Sequence, residues 1–226
     1  MNKKALASVV ALGVVGLPSM ASAELSANAG WVSHYIFRGF YQSESSASAG
    51  LDYESSGFYI GTWGADVGDG LEYDIYFGYG GGSDDFSWSV GYTAYRYTES
   101  TYDDDYDEIN LGIGAGGFSL DVALGEYANY GPEVDYTYLG IGYALENGTS
   151  FLLAQTEYDI PFGGSIDGMW VEVSHGWTLA DDLDLNVTFL YSPDGDDPNS
   201  TIVLGDNPFA EHALVFGISK GFSIGD

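Results

Sequence analysis

Along most of the chain, apolar residues alternate with small or polar ones in about a dozen short segments divided by Gly, Asp, Ser and Asn. Leu71-Glu72-Tyr73-Asp74-Ile75-Tyr76-Phe77 shows the pattern most clearly, and residues 182–191 repeat it. A period of two sends successive side chains to opposite faces of a sheet, so each segment has one apolar and one polar face. Twelve strands are predicted, near residues 29–40, 46–54, 57–66, 71–79, 86–98, 107–115, 117–127, 134–145, 149–158, 168–178, 182–191 and 210–222. Most are close to the ~9–11 residues that a tilted strand needs to cross a bilayer.

The connections alternate in length. Those after even strands are short: Ser55-Ser56, residues 80–85, Gly116, Glu146-Asn147-Gly148 and residues 179–181. Those after odd strands are mostly longer, including residues 99–106, 159–167 and 192–209. An even number of strands, short turns at one end and longer loops at the other predict an all-β, antiparallel transmembrane barrel with both termini on the short-turn, periplasmic side. Asn147-Gly148 is a tight-turn signal. No linker divides the chain, so residues 24–226 are expected to form one domain. A soluble exported β-sandwich that binds a ligand or a surface also satisfies the alternation.

The first 23 residues differ from the rest. Lys3 and Lys4 precede the apolar run from Ala5 to Leu17, Pro18 interrupts it, and Ala21-Ser22-Ala23 offers a small-x-small cleavage site. This is the three-part pattern of a Sec signal peptide cleaved after Ala23, which directs the chain out through the periplasm. An uncleaved anchor is the alternative, but the run is shorter than the ~20 residues of a spanning helix.

Composition favours the membrane barrel. Aromatic residues make up 16% of the chain, as the girdles at two membrane interfaces require. Many of the 33 glycines fall inside strand-like segments, where they permit bends and close backbone approach. A mean hydropathy of −0.03 fits a wall in which only alternate residues meet lipid.

Charge narrows the partners. Without Lys3 and Lys4, three cations (Arg38, Arg96, Lys220) face 34 acids, which excludes nucleic acid. With no cysteine there is neither a disulfide framework nor a thiolate metal site. Most acids cluster at turns, as in residues 103–108 and 194–197, and read as solvated loops. Asp194-Gly195-Asp196-Asp197-Pro198 lacks an EF-hand pattern, leaving loose divalent-ion binding at Asp103, Asp105 and Asp107 as the calcium-like alternative. No cofactor or metal site is expected.

The polar face supplies the candidate chemistry. In residues 71–79 the odd positions are apolar or aromatic, so Glu72, Asp74 and Tyr76 point inward. Trp31, Tyr35 and Phe37 share one face, which turns His34 and Arg38 to the lumen. The same parity places Glu108, Asn110, Asp121, Glu172 and Asp184 inside. Arg or Lys on the lipid face at midplane costs ~2–4 kcal/mol, which supports the inward assignment. Arg96 reaches the lumen only if a β-bulge near Thr93-Ala94 switches parity, because Phe86, Trp88, Val90 and Tyr92 are even whereas Tyr95 and Tyr97 are odd. Arg38 is expected to pair with Glu72 or Asp74. Ser33-His34 and Ser174-His175 resemble catalytic dyads, but strand neighbours face opposite sides, so no enzymatic activity is expected.

The residues also carry a family likeness. Gly30-Trp31-Val32-Ser33-His34-Tyr35-Ile36-Phe37-Arg38-Gly39, Gly50-Leu51-Asp52-Tyr53, Ser56-Gly57-Phe58-Tyr59-Ile60-Gly61-Thr62-Trp63 and Gly217-Ile218-Ser219-Lys220-Gly221-Phe222 resemble the TorF-type porins of proteobacterial outer membranes. The resemblance covers roughly the first half of the chain and the last strand. It departs at the end, where Ser223 to Asp226 follow Phe222 although such barrels commonly finish on an aromatic residue. It implies an outer-membrane barrel whose partners are membrane lipids, the barrel-assembly machinery and small solutes. The combined expectation is a narrow, acid-lined pore passing small cationic or neutral polar solutes. A salt-bridged lumen that passes nothing is the alternative.

Overall fold

A computed structural model describes residues 24–98, 105–128, 133–159, 165–193 and 211–224. The leader and most of the three long loops lie outside this set. Twelve strands follow one another: β1 (Glu24–Phe37), β2 (Phe40–Ser55), β3 (Phe58–Asp66), β4 (Leu71–Gly82), β5 (Phe86–Tyr97), β6 (Tyr106–Ala115), β7 (Phe118–Tyr127), β8 (Val134–Ala144), β9 (Thr149–Asp159), β10 (Ser165–Ala180), β11 (Leu183–Tyr191) and β12 (His212–Ile224). Each pairs antiparallel with its neighbours in the chain, and β12 returns to β1, so the ladder closes. Closure overturns the two-sheet sandwich.

The largest boundary differences fall in β1, β2 and β10. Leu25 to Gly30 and Ser43 to Ala49 are mostly small or polar residues with no readable alternation, yet Leu25 through Val32 pair on both sides. The ladder, not the side-chain period, extends these strands.

The outer face is apolar. Leu71, Tyr73, Ile75, Phe77 and Tyr79 are all exposed on β4, as are Ile109, Leu111 and Ile113 on β6. Near the short turns the exposed set becomes aromatic, with Tyr53, Phe58, Trp88, Tyr143, Trp177 and Phe222. The inner face uses glycine to admit tyrosine rings. A Cβ added to Gly91 would stand 2.2 Å from the Tyr59 hydroxyl, and one on Gly125 would stand 2.3 Å from the Tyr136 ring. Glycine here lets each ring lie flat against the neighbouring strands.

One hairpin leaves the wall. β1 pairs with β12 only as far as Val32 opposite Gly217, and β2 joins β3 only from Ser48 opposite Ala65. Beyond those points β1 and β2 have only each other. The ribbon ends in a two-residue turn, Arg38-Gly39, with both φ angles positive at 49° and 84°. A register shift between Tyr35 and Ile36, and a φ of 59° at Ser45, bend it. Both of its faces are covered: Tyr35 packs on Ala65 and Val67, whereas Ile36 packs against Ala154, Trp170 and Leu190. Phe37 meets Tyr95 at 5.5 Å between ring centroids, and Phe40 meets Tyr158 at 5.7 Å. These contacts lie on β3, β5 and β9 to β11, so the ribbon lies across the lumen. Tyr35 and Phe37 therefore do not share the outward face of Trp31. The alternation that assigned them there holds only while β1 stays in the wall.

Candidate lumen site

Arg38 is the tip of that ribbon, and Glu108 waits for it on β6. Arg38 Nη1 donates to Glu108 Oε2 at 2.6 Å and Nη2 donates to Oε1 at 2.7 Å. The expected partners were Glu72 or Asp74; the turn carries the guanidinium past both. Glu108 is 2% exposed and takes three further donors. The Tyr95 hydroxyl and Asn110 Nδ2 donate to Oε1, and the Tyr136 hydroxyl donates to Oε2, each at 2.7 Å. Such bidentate, charge-assisted pairs are short and directional. The Arg38 guanidinium also lies 4.8 Å from the Phe37 ring centroid and 4.6 Å from that of Tyr138. Burial takes water from its charge, and the facing Glu108 carboxylate supplies the compensating one.

The other inward acids have different surroundings. Glu72 accepts the Tyr35 hydroxyl at 2.6 Å and is also hydrogen-bonded by Tyr97. Asp74, on the same face of β4, has a buried Oδ1 without a hydrogen-bond partner. Asp121 bonds Ser119 on β7, and Glu172 accepts Trp170 Nε1 at 2.9 Å on β10. Asp184 accepts the Thr178 hydroxyl at 2.7 Å near the short-turn end of β11. Glu72, Asp74, Glu108, Asp121, Glu172 and Asp184 thus lie on the inward face, but only Glu108 meets a cation. Among the described residues Arg38 is the single Arg or Lys inside the barrel.

Arg96 is not part of this set. β5 keeps its register against both neighbours with no bulge, so Ser87, Ser89, Gly91, Thr93, Tyr95 and Tyr97 form one continuous inward row. Arg96 faces outward near the end of its strand, with Nη2 2.9 Å from Asp107 Oδ1 and Nε 3.3 Å from Asp105 Oδ2. Tyr92 donates to the same Asp107 oxygen at 2.7 Å. At the membrane edge the lipid-face penalty for Arg falls to ~0–1 kcal/mol, so no parity switch is needed. Of the three loop acids, Asp103 lies outside the described residues.

Sequence reasoning placed Tyr76 inward but missed the other lumen tyrosines and Asp52, which accepts hydrogen bonds from the Tyr76 hydroxyl and, at 3.3 Å, from Asn28 Nδ2. The signal was present in β5: small polar residues at odd positions 87 to 93 run directly into Tyr95 and Tyr97. The serine–histidine argument also needs correction. Ser33 Oγ lies 3.1 Å from His34 Nδ1, because alternation breaks where β1 leaves the wall. That oxygen already accepts the Phe216 amide at 3.0 Å. His175 instead meets Thr149 at 2.8 Å, and Ser174 meets Thr188 at 2.8 Å.

Beside the ribbon lies a small cavity, about 60 Å³. Val32, Ile36, Leu152, Leu190 and Val215 give it an apolar lining, broken by His34, Glu172 and Asn186. The arrangement has a closed apolar-out wall, an acidic interior, and a cross-lumen strap held by Arg38 on Glu108 and by Tyr35 on Glu72.

Among solved structures, a chain from work on the in-meso crystallization of membrane proteins superposes with a TM-score of 0.55 at 10% identity, covering 89% of this chain and 84% of that one. The outer membrane protein OprD from Pseudomonas aeruginosa gives 0.45 at 11% identity, covering 90% and 66%. Acinetobacter baumannii OccAB2 gives 0.46 at 11%, covering 87% and 60%. The first of these shows a shared barrel fold. No curated protein matches the chain. A family model does match, over residues 18–222, and the chain belongs to that family, described as a bacterial protein of unknown function (Gcw_chp).

Proposed function

We propose that the protein is an outer-membrane, porin-like channel with a narrow acidic lumen, passing small cationic or neutral polar solutes by diffusion. The observation that carries this reading is the two-sidedness of the closed ladder: an exposed apolar wall outside and, among the described residues, inward carboxylates that meet no cation, including Asp52, Glu72, Asp74, Asp121, Glu172 and Asp184. So large an apolar surface needs hydrocarbon around it, and a sheet can lie there when its first and last strands pair, as β1 and β12 do along eight rungs. The leader pattern and the TorF-type likeness support an outer-membrane destination, with the termini in the periplasm and the long loops outside. Rings of acids attract cations and repel anions. Membrane lipids and the barrel-assembly machinery are the partners this reading requires.

A second reading has its own observation. The ribbon across the lumen, held by Arg38 and Glu108, supports a non-conducting structural barrel. Planar-bilayer recordings of the purified protein and of Arg38→Ala separate the two. Cation-preferring current in either protein is the expected result; silence in both, with each shown to be folded, favours the structural barrel, and anion selectivity overturns the proposal.

A further inference from the structure

Where the β1–β2 ribbon turns into the lumen, it leaves an edge behind. His212 to Phe216 of β12 pair with β11 on one side, from Tyr191 opposite His212 to Val187 opposite Phe216. On the other side the ladder with β1 stops at Gly217. The Phe216 amide on that side is satisfied by a side chain, Ser33 Oγ at 3.0 Å, rather than by backbone. Backbone groups in an antiparallel strand address the same neighbour at every second residue, so Leu214 and His212 aim theirs toward the same gap. Among the described residues no strand fills it.

We propose that this edge is a second seat for the chain's own ribbon. In it, β1 continues its register along β12, bringing Ser33 opposite Phe216, Tyr35 opposite Leu214 and Phe37 opposite His212. The functional meaning rests on the channel reading above: the ribbon inside the lumen is the closed form, and the ribbon on the edge is the open one.

Three observations fit this occupant rather than a foreign strand. The first is length: among the described residues the β1–β12 ladder leaves out five residues of β12, His212 to Phe216, and five of β1, Ser33 to Phe37. The second is register, because Val32 opposite Gly217 continues rung by rung with no insertion. The third is side-chain parity. Residues directly opposite share a face, and Trp31 faces outward with Ile218. Continuing that parity puts Tyr35 and Phe37 on the outer face beside exposed Leu214, and turns His34 and Ile36 inward with Val215 and Ala213. This is the arrangement that the alternation of Trp31, Tyr35 and Phe37 describes and that the lumen-seated ribbon violates. One segment therefore satisfies two environments. Inside, Tyr35 holds Glu72 and Arg38 holds Glu108; on the edge, the backbone of β12 would be completed and both aromatic rings would meet lipid. A sheet edge facing hydrocarbon is costly to leave unpaired, which makes the second seat favourable.

The chain has no cysteine, so the two seats can be trapped. Phe37→Cys with His212→Cys places thiols opposite each other only on the edge, since Phe37 now packs on Tyr95. Antiparallel partners stand ~5.5 Å apart between Cα atoms, within disulfide reach. Oxidation of the folded protein in lipid vesicles is expected to give an intramolecular disulfide, read as the loss of two hydrogens by intact mass. The yield should rise severalfold when Arg38→Ala is added. If that pair fails to fold, Tyr35→Cys with Leu214→Cys tests the same register one rung pair earlier. Reduced thiols after oxidation in both Arg38 backgrounds, or a disulfide-linked dimer, overturn the proposal, the dimer showing that a second copy takes the edge. Conductance that rises on oxidation and falls on reduction supports the gate. An intramolecular disulfide with no conductance upholds the second seat and overturns the channel reading.

Discussion

Arg38 and Glu108 stand seventy positions apart in sequence, with β3, β4 and β5 between their hairpin and strand, and meet through two parallel hydrogen bonds of 2.6 and 2.7 Å. Removing one member of a buried pair strands the other and costs about 3–5 kcal/mol. Arg38→Ala and Glu108→Ala should each lower the temperature at which the folded band on SDS gels converts to the unfolded one. The double variant should regain a large part of the loss, because no unmatched charge remains. Losses that simply add would show that the two side chains do not act as a pair.

Arg96 makes the opposite prediction. Its partners Asp105 and Asp107 are well exposed, and ion pairs of that kind contribute about 0–1 kcal/mol. Arg96→Ala should therefore leave the conversion temperature close to wild type under conditions where Arg38→Ala moves it clearly. A loss as large as that of Arg38→Ala would contradict the outward placement.

The lumen acids set the expected selectivity. With Glu108 matched by Arg38, Glu72, which holds Tyr35 of the ribbon, and Asp74 on the same face of β4 are lumen acids that meet no cation. Reversal potentials in a salt gradient should report cation preference, and Glu72→Gln with Asp74→Asn should reduce it. An unchanged potential would place the conducting path away from β4.

Sidedness has a labelling test. A single Cys at Ser200, in the longest loop, should react with an impermeant maleimide on whole cells, whereas one at Asn147, in the β8–β9 turn, should not. The reverse pattern would mean that the barrel stands inverted.

Packing inside the wall predicts a rescue. Gly91→Ala drives a methyl into the Tyr59 hydroxyl, and the next atoms stand at 3.2 Å. Overpacking of this kind costs about 1–3 kcal/mol. Tyr59→Phe deletes the clashing oxygen, so the combination should be more stable than Gly91→Ala alone, as read by thermal conversion on gels.

The wall was legible because lipid and lumen impose opposite demands on alternate residues, as β4 shows from Leu71 to Tyr79. Two things were not. Tyr95 and Tyr97 were assigned outward because aromatic residues favour membrane interfaces, but a phenol also donates hydrogen bonds, and here the acids Glu108 and Glu72 claim it inside. The departure of the ribbon left no local trace either. Trp31, Tyr35 and Phe37 share one parity against His34 and Arg38 as in a wall strand, and what holds the tip inside is a carboxylate on β6 that no short window contains.

The Arg38-Gly39 turn constrains the order of assembly. A left-handed residue in a two-residue turn is normally Gly, Asn or Asp, and a longer side chain there costs roughly 1–2 kcal/mol. The hairpin is thus locally frustrated, and the relief lies on a strand that is not its neighbour. That relief comes from Glu108 on β6, so the turn is anchored only once the sheet has curled far enough to bring β6 across from β1 and β2. The arginine therefore reports on the curling of the sheet: an isolated β1–β2 hairpin would keep the strained turn yet lack the carboxylate that holds it.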